Sequence, residues 1–285
     1  MVMKSSLSHL PANKQEELER VTKLIVETAD PEKVILYGSY ATGEWQEDRY
    51  VEKNTVYGFD SDYDILVVTK DGDKKKDWEI TSQITNRSKY RVPINVITHD
   101  ISFINNQLHN GQFFFTEIIR EGVLLYDSNE TKFVEPKMLT AEERKEIAQK
   151  DFDKWFTTAK SFIKGGRFYL AENDLRLAAF ELHQATERTY NAILLVFTGY
   201  KPKTHNLEKL RCYTKPFSDE LNSIFPKDSN QEEHIFNLLQ KAYIEARYSD
   251  DYKIEKSEVE ELIYRVTNLQ NVAEAVCKAK IESIN

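Results

Sequence analysis

At 285 residues, with 40% apolar and 30% charged residues, the chain is long enough for two cores, and no apolar run approaches the roughly 20 residues of a membrane span. The net charge of −8 is unevenly placed: residues 1–135 hold 16 Lys and Arg against 23 Asp and Glu, while 136–285 hold 23 against 24, an imbalance that argues against gripping long DNA or RNA. Two Cys, at 212 and 277, exclude a disulfide scaffold, and the first residues lack the charged-then-apolar order of a signal peptide, so the expected compartment is the cytoplasm.

Pro11 to Thr28 reads as a helix, with Leu18, Val21, Leu24 and Ile25 at helical spacing. Two short runs, Val34–Tyr37 and Ile65–Thr69, then read as buried strands. The first ends in Gly38-Ser39, where a missing Cβ lets the backbone approach a phosphate and a hydroxyl adds a donor. The second is led by Asp62-Tyr63-Asp64, and the period of two in a strand puts both carboxylates on one side. Two like charges so placed call for an oxygen-loving divalent ion, such as Mg²⁺, that also holds a nucleotide's phosphates.

Between these motifs lie 22 residues rich in Glu, Asp and Tyr, with Trp45. They read as an inserted hairpin or loop that shapes a substrate pocket or covers the sheet edge. Lys74–Lys76 begins a solvated helix or grips phosphate, and that helix runs to about Lys89. Arg91–Thr98 is a third strand containing Asn95. A helix from Ser102, a core-filling Phe113-Phe114-Phe115, a second short helix and a strand at Val123–Tyr126 complete the first half.

The polar break around Asp127–Glu130 and Pro136 marks a boundary, giving domains at 1–135 and 136–285. Everything beyond reads as helix. Thr140 to Glu143 has the form of a capping box, and the helix it opens runs to about Phe162, where Gly165-Gly166 interrupts it. Helices follow at about 171–197, 206–213, 219–225, 230–248 and 256–282, and an up-and-down bundle is their natural packing. One long helix of this half is apolar around more than one face, which asks for a partner surface.

Gly38-Ser39-Tyr40-Ala41-Thr42-Gly43, followed by Ser61-Asp62-Tyr63-Asp64-Ile65-Leu66-Val67, resembles the nucleotidyltransferase signature of the DNA polymerase β superfamily, in particular its small prokaryotic members. Leu182-His183-Gln184-Ala185-Thr186-Glu187-Arg188, with Lys201 to Leu207 and Ala246-Arg247-Tyr248, resembles the HEPN domain, a helical bundle that stands beside such transferases. Together the resemblances imply an α+β protein, a mixed sheet with flanking helices followed by an all-α bundle.

They also imply an activity, transfer of a nucleoside monophosphate from a nucleoside triphosphate, ATP being the expected donor, to a small-molecule or protein acceptor. Gly38 and Ser39 would bind the nucleotide. Asp62 and Asp64 would be catalytic and hold Mg²⁺ or Mn²⁺. Asn95 aligns with a third carboxylate of the family; it can ligate through its oxygen but accepts no proton, and Asp60 and Asp100 are nearby stand-ins. The alternative is a catalytically weakened nucleotide-binding regulator or toxin-antitoxin-like module.

In the bundle, His183, Glu187, His205 and Arg247 are expected to line a polar cleft. Many HEPN ribonucleases use an Arg followed after four to six residues by a His on a late helix. Here Arg247 has no His after it, and Arg176 with His183 lies on an earlier helix, so that site reads as absent. HEPN domains commonly pair, which implies a homodimer.

Overall fold

The computed structural model describes residues 3–45, 47–52, 55–73, 79–80, 82–84 and 92–285, and within 47–60 the backbone alone. The chain forms two compact units, Met1–Met138 and Leu139–Asn285.

In the first unit, helix α1 (Ala12–Ala29) starts after Pro11 and precedes strand β1 (Lys33–Tyr37). One turn, α2 (Ser39–Thr42), leads to a separate hairpin of β2 (Glu47–Glu52) and β3 (Thr55–Asp60), so the inserted segment is a hairpin. Strands β4 (Tyr63–Thr69) and β5 (Ile94–Asp100), helices α3 (Ile101–His109) and α4 (Phe113–Glu121) and strand β6 (Val123–Asp127) follow. Lys74–Lys76 and most of the helix expected up to Lys89 lie outside the described residues.

The main sheet has the order β5-β4-β1-β6; β1 is antiparallel to both neighbours and β4 is parallel to β5. The parallel β4–β5 pair needs a crossover of about a dozen residues or more, and residues 70–93 supply it. Leu18, Val21 and Ile25 of α1 pack on Val34, Leu36, Ile65 and Val67. The alternate residues Ile35, Leu66 and Ile97 are buried as well, so both faces are covered.

The first unit extends past the polar break to Met138 because the connecting segment is tied down. Asn105 of α3 donates to the Lys132 carbonyl at 3.3 Å and accepts from Val134 N at 2.9 Å, and Lys137 N reaches the Leu108 carbonyl at 2.9 Å.

The second unit comprises α5 (Ala141–Ala171), α6 (Leu175–Thr198), α7 (Leu207–Thr214), α8 (Asp219–Ser223), α9 (Asn230–Ala242), α10 (Glu245–Tyr248) and α11 (Lys256–Glu282). The Thr140–Glu143 capping box closes both ways, at 3.2 and 2.9 Å.

Three expectations change. Gly165-Gly166 does not interrupt α5, which continues through it: a Cβ at Gly165 would stand 2.5 Å from Glu181 Oε2 and one at Gly166 3.1 Å from Leu182 Cδ2, so the pair admits α6 at close range. The helix expected over 230–248 breaks after Ala242, and the short α10 is caught by Arg176, whose guanidinium donates to the carbonyls of Ala246, Glu245 and Ser249 at 3.0, 3.3 and 2.7 Å. Finally, α6 is apolar all round because it is the central helix, packed against α5, α7, α9, α10 and α11. Its faces are covered within one chain.

Candidate functional site

The β1–β4 register sets Tyr37 opposite Asp64, and the β4–β5 register sets Asn95 opposite Asp64 on the other side. Three strands therefore deliver the end of β1, the Asp62-Tyr63-Asp64 segment and Asn95 to one place. Gly38 has φ +73°, and a Cβ there would lie 2.6 Å from Asp64 Oδ2. Glycine is required on both counts, by the positive φ and by the carboxylate that fills the side-chain position. Beyond it, the amides of Ala41 and Thr42 turn back onto the Gly38 carbonyl at 3.0 and 3.1 Å, which places half-buried Ser39 at the mouth of the turn.

Asp64 is half-buried and its Oδ1 accepts from Asn95 Nδ2 at 2.8 Å. Burial raises its carboxyl to about 7; the Asn95 hydrogen bond pulls it down and the charge of Asp62 pushes it up. So the larger part of the strain on Asp64 comes from lost water, and repulsion from Asp62 adds to it. A neutral amide is a weak counterweight, and a cation bound here would relieve both effects.

The residues present fit a divalent ion: two carboxylates and an amide supply oxygen donors, and Gly38 leaves room where another residue would crowd Asp64. Among the described residues, no group of three or more His, Cys, Asp or Glu converges on a metal position. Of the two proposed stand-ins, the side chain of Asp60 lies outside the described residues. Asp100 is corrected: it pairs with Thr69 at the far end of β5 and caps α3, accepting from Phe103 N at 2.7 Å.

Behind the site lies a support that sequence reasoning missed. Tyr63, fully buried between the two Asp, points to the opposite face and donates to Glu17 Oε2 at 2.7 Å. Tyr40 packs on it with ring centroids 4.5 Å apart and stacks parallel on Trp45 at 5.3 Å, while Lys14 Nζ stands 5.8 and 5.9 Å from the two Tyr rings. One signal was available: Tyr40 and Tyr63 lie inside the two motifs, each next to a predicted site residue. A small cavity of about 190 Å³ also opens beside Gly38, lined by Tyr37, Thr42, Phe114, Glu117 and Glu121 among others.

In the second unit the four predicted residues meet only in part. His205 Nδ1 lies 2.9 Å from Glu187 Oε2, and His183 Nδ1 lies 4.0 Å from the same oxygen. His183 is fully buried; burial drives its imidazole down to about 3, and the charges of His205 and Arg247 add to that against a hydrogen bond with the His205 backbone. Tyr243 is shared by three groups: His205 and His183 stack on it at 4.4 and 5.1 Å, and the Arg247 guanidinium lies 4.8 Å from its centroid. An open cavity of about 430 Å³ adjoins it, but of the four residues only His205 lines it. Arg247 is exposed and held over Phe180, Tyr243 and Tyr248. Arg176 is spent on the α10 carbonyls.

The family model described as polymerase beta, nucleotidyltransferase matches residues 19–131, and that described as HEPN domain matches residues 152–276. No curated protein matches the chain.

Proposed function

Since this chain is a polymerase β-type nucleotidyltransferase domain fused to a HEPN domain, we propose that it transfers a nucleoside monophosphate from a triphosphate, ATP being the expected donor, to a small-molecule or protein acceptor. The observation that carries this reading is the convergence of Gly38, Asp64 and Asn95 from three adjacent strands. Gly38 and Ser39 hold the triphosphate. Asp62 and Asp64, with the Asn95 oxygen, hold Mg²⁺ or Mn²⁺, which when bound supplies the positive charge that offsets negative charge on the α-phosphate. Asn95 keeps Asp64 oriented but takes no proton, so the acceptor hydroxyl must lose its proton elsewhere.

That same amide favours a second reading, a weakened enzyme that binds nucleotide and regulates. Incubation with Mg²⁺ and each α-labelled triphosphate in a cell extract separates the two: label on an acceptor supports transfer, while nucleotide binding with no pyrophosphate release at any pH supports the regulator.

The bundle is proposed to pair with a second copy. Its support is the exposure of Phe168, Tyr248 and Tyr264 in the second unit, at 59%, 76% and 63%. Light scattering should give twice the chain mass at tens of micromolar, and a strict monomer there removes the proposal.

A further inference from the structure

The support behind the candidate site holds a lysine in a costly place. Lys14 stands in the first turn of α1, and its side chain is only 8% exposed. There it loses its water, its long chain is fixed, and the positive end of the helix lies beside it. An apolar residue of similar length would fill the space without the charge. Stability alone therefore does not account for a cation at this position.

What the charge meets does account for it. Lys14 Nζ lies 3.9 Å from Glu17 Oε2, one turn on in α1, and that same oxygen accepts from the Tyr63 hydroxyl at 2.7 Å. The ammonium also faces the rings of Tyr40 and Tyr63, 5.8 and 5.9 Å from their centroids. Tyr40 follows Ser39 directly and is fully buried, and its carbonyl accepts from His9 Nε2 at 2.8 Å. Tyr63 stands between Asp62 and Asp64 and points to the face opposite Asp64, so a slide or roll of its ring carries that carboxylate with it. One ammonium therefore faces a ring from each motif, and the two rings meet at 4.5 Å.

We propose that Lys14 and Glu17 are positioning residues: from behind the sheet they fix the spacing between the Gly38-Ser39 turn and the Asp62-Tyr63-Asp64 segment, so that one metal-bound nucleotide is held by both at once. This rests on the nucleotide reading of the site, since the spacing matters to a ligand that spans it. A ligand gripped at two ends gains from both only where their separation is set beforehand, and a small misplacement forfeits part of that gain. A pair kept for this purpose acts on affinity more than on stability. Replacing both partners together leaves no charge buried alone, so the fold is expected to survive their loss.

Two measurements on the full chain test it, one of them without ligand. The variant carries Lys14→Met with Glu17→Gln, which keeps the packing and leaves Tyr63 an oxygen to donate to. In the metal-free protein, exchange of the Ala41 and Thr42 amides, which bond the Gly38 carbonyl at 3.0 and 3.1 Å, should quicken by about tenfold while the unfolding midpoint holds or rises. Calorimetry with Mg²⁺ and ATP should show affinity about tenfold weaker. Tyr63→Phe removes only the hydroxyl from Glu17 and should weaken binding by about threefold with the same quickened exchange; it carries the test if the double variant does not fold. The proposal is overturned if exchange at these amides is unchanged, if the variants bind Mg²⁺ and ATP like the wild type, or if a lowered midpoint accounts for the lost affinity. Wild-type binding with unaltered variants removes this proposal alone, whereas a wild type that binds no nucleotide removes the reading it rests on and the proposal with it.

Discussion

Two carboxylates, Asp64 in the sheet and Glu187 in the bundle, are taken from water but are compensated differently. Glu187 is met by the His205 ring at 2.9 Å, whereas Asp64 is met by an uncharged amide at 2.8 Å and by the like charge of Asp62. The bundle pair is closed within the chain. The sheet pair is left with an electrostatic deficit that a bound cation would fill, and this difference is what supports the proposed metal site.

The largest expected effect comes from removing that deficit. Asp62→Asn together with Asp64→Asn should abolish metal-dependent nucleotide binding while the fold survives, as read by calorimetry with Mg²⁺ and ATP beside thermal unfolding. Unchanged affinity would remove the metal-site reading. Asn95→Asp works in the opposite direction. It places a third carboxylate where an amide now donates, so the apo protein should lose stability at neutral pH. Turnover should rise by roughly 10² to 10⁴, the usual worth of a positioned base. A brisk wild type that the substitution silences would show that Asn95 is needed as an amide.

The residues of the proposed site were legible in the sequence because they lie at the ends of short apolar runs: Gly38-Ser39 closes β1 and Asp62-Tyr63-Asp64 opens β4. What joins them is not local. Only the pairing of Tyr37 and Asn95 with Asp64 brings the three strands together, and that register depends on the sheet as a whole. The bundle shows the same limit. Gly165-Gly166 has the form of a break until Glu181 and Leu182 are placed against it, and α6 asks for a partner until its neighbours are placed.

The comparison sharpens further with pH. Asp64 has a folded value of about 7 against an ordinary 3.8, so the native state holds the proton more tightly, and stability falls as pH rises between those values. His183, at about 3 against 6.5, favours the neutral form in the native state, so stability falls as pH drops from 6.5 towards 3. Each slope is at most about 1.4 kcal/mol per pH unit. Asp64→Asn should flatten the loss on the alkaline side and His183→Gln the loss on the acid side, measured as unfolding midpoints across pH 3–8 relative to each variant's own value at pH 6. Parallel curves for variant and wild type would show that the group does not titrate this way.

The smallest effect belongs to Asp100, and it separates a cap from a catalyst. Asp100 closes the first turn of α3 through Phe103 N at 2.7 Å and stands five register steps from Asn95, at the Thr69 end of β5. Asp100→Ala should therefore cost about 1 kcal/mol of stability, the usual worth of an N-cap oxygen, and Asp100→Asn, which keeps an accepting oxygen, should cost less. Neither should change metal-dependent nucleotide binding, because about 17 Å of strand separates the cap from Asp64 at roughly 3.3 Å per residue. A tenfold loss of affinity in Asp100→Ala, with Asp100→Asn equally impaired and both variants folded, would mean that the carboxylate reaches the site in the nucleotide-bound state.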